Sequence, residues 1–362
     1  MKTKPTSRPA GIALIIVMIC ITVLGTMAGL FAYSMKVENK LAMNANADAN
    51  FYPLAQAAVD YCKSVLAASL ASPEEPFDSQ NQVWAGGSGS TSSNGILAVA
   101  KSTVDLGYGR FTWKMTDLES KANINLADQP MLERAMRLIG VDAGDSGPIT
   151  ASILDWIDRD KNPHIGGTES EYYESLDPPY KAKDGYIDDI QELLLVRGVT
   201  PELYGLEGQI PPPPPPAFRD QLGLQDRPVQ RTTLKELFTP ISSGQINVNT
   251  ASATVLQLIP FVDENTAQQI ITFRSGQETG QPTPFRNVGE LINVPGINAQ
   301  VMPQLQRLCN VRSRTFEVHI DAEIGGVKRQ YHAILMRNSP RDIQVLSFNW
   351  KLNAPASHAD AR

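Results

Sequence analysis

The chain has 362 residues, of which 42% are hydrophobic, and its formal net charge is −6. This length is enough for one large or two modest globular cores. Phosphate binding needs clustered lysine and arginine, so the acidic balance argues against a nucleic-acid partner.

The amino terminus carries a long apolar run that is typical of a membrane span. Residues 12–35 contain no charged side chain. As a helix this run is about 36 Å long, and a bilayer core is about 30 Å thick. The basic residues Lys2, Lys4 and Arg8 precede it. By the positive-inside rule, the amino end stays in the cytoplasm and the rest of the chain is exported into the periplasm.

Three kinds of segment fit this terminus. A secretory signal has a shorter apolar core and a small-residue cleavage site, which residues 33–35 match poorly. A plain membrane anchor is the second possibility. The third, which we favour, is a prepilin leader of residues 1–11, cleaved between Gly11 and Ile12, because the apolar block starts immediately after Gly11. Cleavage removes three positive charges and leaves a more acidic mature chain.

The helix is predicted to continue beyond the membrane, over residues 12–75. Leu54, Ala58, Tyr61 and Val65 recur at steps of four, three and four, which indicates one apolar face. We expect Pro53 to kink or break this helix locally. A flexible glycine- and serine-rich loop follows at residues 85–95.

Strands are predicted at both ends of the exported part. Residues 76–116 supply the first part of a sheet, with strands at 96–100 and 109–115. Residues 311–353 supply the remaining strands, because apolar and polar side chains alternate from Phe316 to Ile324 and a Gly-Gly pair then precedes another strand. Residues 354–362 form a tail.

The middle, residues 117–310, is predicted to be helical and duplicated. Asn-Ile-Asn-Leu-Ala at 123–127 matches Asn-Val-Asn-Thr-Ala at 247–251. Glu-Leu-Leu-Leu-Val-Arg-Gly-Val at 192–199 matches Glu-Leu-Ile-Asn-Val-Pro-Gly-Ile at 290–297. We therefore expect two units, 117–210 and 244–310, joined by a proline-rich linker at 211–243.

Each unit resembles a helix-hairpin-helix module, whose turn presents backbone N–H groups to phosphate in DNA-binding members. The second glycine expected in that turn is missing, since Thr200 and Asn298 stand there. Residues 117–208 also hold 19 acidic but only 8 basic side chains. We interpret the units as scaffolds rather than DNA clamps.

One acidic loop has the spacing of a calcium site. Asp158, Asp160 and Asn162 lie two residues apart, and Glu169 is the twelfth position counted from Asp158. Pro163 replaces the glycine of an EF-hand turn, and no flanking helix pair is evident, so another geometry or a merely solvated acidic loop is also possible. The further carboxylates in reserve are Asp155, Glu171 and Glu174.

Little else suggests chemistry. The sequence has no nucleophile elbow, glycine-rich phosphate loop or His-Glu-x-x-His motif, and its four histidines are scattered. No cysteine pair has the spacing of a zinc site. Cys62 and Cys309 are interpreted as separate buried thiols, with a disulfide as the alternative. We do not expect an enzyme.

These features together resemble the minor pseudopilin K family of type II secretion systems. The motifs that carry the resemblance are Asp-Trp-Ile-Asp at 155–158, Gly-Gly-Thr-Glu at 166–169, Tyr-Tyr at 172–173, Pro-Pro-Tyr at 178–180 and the 192–199 segment. The resemblance implies an α+β pilin fold. In this fold, a long amino-terminal helix joins a small antiparallel sheet and a large inserted all-α domain with the two helix-hairpin-helix-like units.

The resemblance also implies prepilin peptidase cleavage, amino-terminal methylation and calcium binding. Most pilins carry glutamate at the fifth mature position, where this chain has Ile16, and K-type subunits share that absence. The implied partners are I-type and J-type minor pseudopilins and the major pseudopilin, and the implied place is the pseudopilus tip, above the inner membrane. The alternatives are a minor pilin of a type IV pilus or DNA-uptake system and, less favoured, a membrane-anchored DNA receptor.

Overall fold

The computed structural model describes residues 10–89, 96–206, 232–277 and 280–351. Most of the leader, the middle of the glycine- and serine-rich loop, the proline run and the carboxy-terminal tail lie outside these ranges. The predictions that fall on them are therefore not addressed by the structure.

The chain begins with one long helix, α1 (Ala10–Ala71). Its segment Leu14–Ala42 contains an 18-residue window with a mean hydropathy of 2.6, and none of that window is buried. At 1.5 Å per residue its 29 residues are long enough to cross a bilayer. The expected break at Pro53 is absent, because Pro53 lies inside a continuous helix. Phe51 and Leu54, on either side of it, are fully buried and hold both turns in the core.

A five-stranded antiparallel sheet packs on the second half of α1. The strands are β1 (Thr103–Asp105), β2 (Arg110–Asp117), β7 (Thr315–Ile324), β8 (Val327–Ser339) and β9 (Asp342–Lys351). They are hydrogen-bonded in the spatial order β1-β2-β7-β8-β9. The long interval between β2 and β7 means that the helical domain is an insertion between neighbouring strands. The predicted α+β pilin-like architecture is confirmed.

The alternation predicted for the carboxy-terminal hairpin is confirmed by its burial. Phe316, Val318 and Ile320 face α1 and are buried, whereas Glu317 and His319 lie on the opposite face. The two-residue turn between β7 and β8 is Gly325-Gly326, and both glycines have positive φ, 58° and 83°. This is the backbone that a tight hairpin turn requires.

The strand predicted at 96–100 is wrong. Residues Ile96–Val99 form a single helical turn, α2, and the edge strand β1 begins only at Thr103. Ile96 and Leu97 pack against the core under the sheet. Packing of this turn onto α1 overrides the local preference of an isoleucine–valine segment for strand.

The inserted domain consists of short helices around a second core. The α-helices are α3 (Gln129–Ile139), α4 (Ala143–Ile157), α5 (Ser170–Glu174), α6 (Pro201–Tyr204), α7 (Leu234–Leu237), α8 (Ala253–Leu256), α9 (Glu264–Ser275) and α10 (Met302–Leu308). Segments of 3-10 helix cover Leu118–Ser120, Ile124–Leu126, Ile190–Leu195 and Val288–Asn293, and a further one, Val83–Ala85, precedes the domain. Two parallel pairs join β3 (Ala122–Asn123) to β4 (Phe238–Thr239) and β5 (Ile246–Asn247) to β6 (Cys309–Asn310), so the domain is not purely helical as predicted.

The two sequence repeats have the same local structure. The side chain of Asn125 donates to the carbonyl of Ile187 and accepts from its N–H. The side chain of Asn249 makes the same two bonds to Phe285. In each unit the clamped residue stands three positions before a 3-10 helix. The duplication predicted from sequence therefore includes a hydrogen-bonding role for its second asparagine.

The cysteines lie in different cores. Cys62 is buried in the core between α1 and the sheet, and Cys309 in the core of the inserted domain. Both are free thiols, as interpreted from the sequence, and burial raises the pKa of each to about 12.

A buried polar cluster joins the inserted domain to the sheet. Asp117, at the end of β2, accepts hydrogen bonds from the side chains of Asn247, Thr250 and Ser313. Burial raises the pKa of Asp117 to about 6, although the hydroxyl donors oppose the shift. These contacts connect the two places where the chain passes between the sheet and the inserted domain, and they hold the domain against the sheet.

Candidate metal centre

The acidic loop connects two helices. Helix α4 ends at Ile157, Asp158 is its carboxy-terminal cap, and α5 begins at Ser170. The expectation that no helices clearly flank the loop is therefore wrong. Helix α5 has only five residues, which is why its sequence gives little periodic signal.

Asp155 organises the loop from inside. Its side chain is fully buried on the last turn of α4. One carboxylate oxygen accepts from the N–H of His164 at 2.9 Å and lies 2.5 Å from His164 Nδ1. The other accepts from the N–H of Thr168 at 2.5 Å. Gly167 passes so close that a Cβ there would lie 2.0 Å from Asp155 Oδ2, which explains the need for glycine at this position.

A residue of the first sequence repeat supports the loop from the other side. Arg197 donates from Nη1 to Thr168 Oγ1 at 2.7 Å, and its guanidinium lies 5.0 Å from the centre of the Tyr172 ring. The loop is thus held between α4 and the turn that follows the 3-10 helix of the first unit.

The carboxylates converge around one point. Oxygens of Asp158, Asp160 and Glu169 lie within 4.8 Å of one another. Of the buried side-chain oxygens that lack a hydrogen-bond partner within the described part of the chain, four belong to carboxylates of this region: Asp158 Oδ1, both oxygens of Glu169, and Asp184 Oδ1. A buried carboxylate oxygen without a donor is unfavourable, and bound cations are one way in which proteins satisfy such groups.

The electrostatics show the same crowding. Burial, followed by the charges of Asp155, Asp158, Asp184 and Asp160, raises the pKa of Glu169 to about 7. Burial and the neighbouring charges of Asp160 and Asp155 also raise the pKa of Asp158. Neighbouring negative charges contribute to both raised pKa values, and a cation bound between the carboxylates would replace this repulsion by attraction.

The donor set fits a hard cation. Ca²⁺ takes six to eight oxygen ligands at about 2.3–2.6 Å, and flexible carboxylate-rich loops supply them. The orphaned oxygens of Asp158, Glu169 and Asp184 are of this type. His164 is already hydrogen-bonded through Nδ1 to Asp155. The residues present therefore fit calcium.

The predicted ligands differ in how the structure treats them. Asp158, Asp160 and Glu169 come together, and Asn162 lies in the same loop, where its N–H donates to Asp160 Oδ1 at 2.8 Å. Asp155, held in reserve, instead uses both oxygens to shape the loop.

The other reserve residues lie on α5. Glu171 is exposed, and Glu174 lies 3.5 Å from Lys181. All of these ligand assignments remain predictions. So do the roles of Gly11 and Ile12 in processing and of Ile16 as a tip marker, although all three residues lie in α1.

Sequence reasoning missed Asp184. It follows Glu169 by 15 residues, outside any calcium-loop spacing. Its φ of +47° is rare for a residue with a side chain, although aspartate tolerates it better than most. No sequence pattern predicts that the chain returns to the loop there.

Comparison with known proteins identifies relatives. Residues 114–206 match the family model described as type II secretion system, protein K, and residues 242–309 match a helix-hairpin-helix motif. The type II secretion system protein K of Aeromonas hydrophila is 23% identical over 365 aligned residues, covering 94% of this chain and 96% of that protein. Its counterpart from Pectobacterium carotovorum subsp. carotovorum is 25% identical over 202 residues, covering 46% of this chain and 59% of that protein.

A solved structure shares the fold. A chain in the crystal structure of the GspK-GspI-GspJ complex from the enterotoxigenic Escherichia coli type 2 secretion system aligns with a TM-score of 0.59 at 18% identity. The alignment covers 85% of this chain and 99% of that chain. The resemblance drawn from the motifs at 155–199 is confirmed by the family match, which spans those residues.

Proposed function

Because this chain belongs to the type II secretion protein K family, we propose that it is the minor pseudopilin at the tip of a pseudopilus. There it would help to start assembly and so support protein export across the outer membrane. The observation that carries the proposal is α1, one continuous helix whose apolar first half is exposed and whose second half is the spine of a folded head. Such a helix can pack beside other subunits in the membrane while the head stays outside it.

The uncharged side chain of Ile16 supports the tip position. A carboxylate inside a bilayer is unfavourable unless it meets a partner, such as the amino terminus of a neighbouring subunit. Ile16 lies within the exposed apolar part of α1 and has no charge to satisfy. A subunit of this kind needs no neighbour above it, so a bulky inserted domain can be accommodated at that end.

The proposed partners are I-type and J-type minor pseudopilins, with the major pseudopilin below them. The solved structure that shares this fold comes from a GspK-GspI-GspJ complex. We further propose prepilin peptidase cleavage after Gly11, methylation of the new amino terminus, and a head in the periplasm. The role is structural rather than catalytic.

The helix-hairpin-helix-like units are proposed to be scaffolds. Gly198 and Gly296, in the two matching turns, both have positive φ, 85° and 94°. A Cβ on Gly198 would lie 2.6 Å from Ile149 Cγ1 of α4, and one on Gly296 would lie 3.0 Å from Thr266 Oγ1 of α9. In both units the glycine lets the turn approach a helix of the same domain, which supports an internal packing role.

We also propose that the acidic loop binds calcium. Asp158, Asp160, Glu169 and Asp184 would supply carboxylate oxygens, and Asn162 is a further candidate. The ion would supply positive charge where these oxygens repel one another. The loop runs between α4 and α5, and Asp155 holds its backbone by accepting hydrogen bonds from two of its N–H groups.

Replacement of Gly11 tests the processing and the function together. Gly11→Val is expected to leave an uncleaved precursor in the membrane and to fail to restore export in a host strain that lacks the chain. Immunoblot mobility and amino-terminal sequencing measure the first effect, and the amount of exported protein in the medium measures the second. Gly25→Val, also in α1 and open to solvent, is the control for a substitution in the apolar helix. Normal cleavage and export with Gly11→Val would contradict the leader assignment.

A further inference from the structure

A second polar cluster lies on the outer face of the sheet, outside the inserted domain that carries the acidic loop. His319 on β7 and His332 on β8 are directly opposite each other in the strand register. Glu317 precedes His319 by two residues and so lies on the same face of β7. Lys114 of β2 and Asn349 of β9 flank the two histidines in the same cross-strand row. In the sequence these histidines are scattered, and the pairing of β7 with β8 brings them together.

The three side chains converge through their polar atoms. Glu317 Oε1 lies 2.7 Å from His332 Nε2, and Glu317 Oε2 lies 3.4 Å from His319 Nε2. The two imidazole rings have centroids 5.0 Å apart. One donor atom from each of the three residues falls within 4.8 Å of the others. Ligands at about 2.0–2.2 Å from a tetrahedral ion are about 3.4 Å apart, which is close to the observed separations of the donor atoms.

Glu317 is a carboxylate at neutral pH and lies between the two imidazoles, with one oxygen near each Nε2. Lys121 also interacts electrostatically with Glu317, while its Nζ donates to the carbonyl of Lys235 at 2.9 Å. Glu317 therefore presents a negative charge between two nitrogen donors.

We propose that Glu317, His319 and His332 bind a transition-metal dication of the Zn²⁺ type. Two imidazoles and one carboxylate are a ligand set that suits zinc, and they leave a fourth position open to water. The set differs in kind from the all-oxygen acidic loop, which suits calcium. The ion would join β7 to β8 across the hairpin.

The site is open enough for an ion to enter. The exposed fractions of the side chains are 28% for Glu317, 55% for His319 and 30% for His332. None of the three supports the hydrophobic core, which lies on the other face of the sheet. Substitutions here are therefore expected to leave the fold intact.

The test is Zn²⁺ titration of the full chain in detergent, purified without an oligohistidine tag and with excess Ca²⁺ present. Calorimetry is expected to detect one Zn²⁺ per chain. His319→Ala and His332→Ala are each expected to weaken binding by more than the 10–100-fold that loss of an outer-shell partner causes, and Glu317→Gln is expected to weaken it as well. In Cu²⁺-loaded protein, electron paramagnetic resonance should show nitrogen couplings that disappear in the double histidine variant.

Two controls separate this site from other histidines. Asn349→Ala changes a neighbour on the same face, and His164→Ala changes the imidazole of the acidic loop. Both are expected to keep the wild-type affinity and stoichiometry. The proposal is overturned if no Zn²⁺ binds, if His164→Ala abolishes binding, or if the double variant His319→Ala/His332→Ala, shown to be folded by near-UV circular dichroism, still binds as wild type does.

Discussion

Replacing Arg337 by methionine is expected to lower the free energy of unfolding by about 3–5 kcal/mol. Arg337 is buried on β8, pairs with Asp78 and donates from Nη2 to the carbonyl of Ser313 at 2.7 Å. Its guanidinium also lies 4.8 Å from the centre of the Phe316 ring. Removal of the arginine leaves the Asp78 carboxylate buried with only the N–H of Ser313 as a described donor, at 2.9 Å.

The large effect follows from burial, so an exposed pair provides the control. Arg110 lies 3.8 Å from Glu323 in the same sheet, and its side chain is 58% exposed. Arg110→Met is expected to change the free energy of unfolding by less than about 1 kcal/mol. The double variant Asp78→Leu/Arg337→Met should lose less than Arg337→Met alone, because it leaves no uncompensated charge. Urea titration of the full chain in detergent measures all three, and equal effects of Arg337→Met and Arg110→Met would show that burial does not determine the contribution of these pairs.

Chelation of Ca²⁺ is expected to lower the melting temperature substantially. A ligand present at 100 times its dissociation constant stabilises the folded state by about 2.7 kcal/mol. Glu169→Gln should change the melting temperature in opposite directions with Ca²⁺ and in chelator. With Ca²⁺ it removes a ligand charge and destabilises the protein, whereas in chelator it removes a repelled carboxylate and stabilises it. Glu171→Gln, on the exposed side of α5, is the control and should change neither value.

The same carboxylate gives the chelated protein a pH dependence. The pKa of Glu169 is raised to about 7 in the folded state, above the usual value near 4.3 for an unfolded chain. The folded state therefore binds the extra proton, and its stability falls as the pH rises between those values. Asp117 and Glu119, with pKa values raised by burial to about 6 and about 7, act in the same direction.

The contribution of Glu169 to this pH dependence is therefore measured by comparing the wild type with Glu169→Gln. The loss of stability between pH 5 and about pH 7 should be smaller in Glu169→Gln than in the wild type, both in chelator. Thermal melts across this range measure it. Melting curves that respond neither to Ca²⁺ nor to this substitution would remove the metal proposal.

Sequence patterns with a short period predicted the structure well. The alternation from Phe316 to Ile324 placed both faces of β7, because side chains of a strand alternate regardless of its surroundings. The apolar run of α1 was also predicted correctly as a long helix. By contrast, Ile96–Val99 favours a strand locally but becomes a helical turn through its packing on α1.

The features of the two sites that the sequence did not predict depend on the chain folding back to bring distant residues together. Asp184 lies close enough to raise the pKa of Glu169 only because the segment after α5 folds back, and no spacing rule covers that distance. His319 and His332 meet only because the two-residue turn at 325–326 sets their register. The spacing from Asp158 to Glu169 did indicate the acidic loop, since that part of the site is local in the chain.

The proposed role as a structural subunit requires that this chain assemble with I-type and J-type minor pseudopilins. We would co-express the full chain with these two subunits of its own host and analyse the product by size-exclusion chromatography with light scattering in detergent. We expect one stoichiometric ternary complex that contains the cleaved form of this chain. If the I-type and J-type subunits associate with each other while this chain elutes alone, fully folded and Ca²⁺-loaded, the proposed role is wrong.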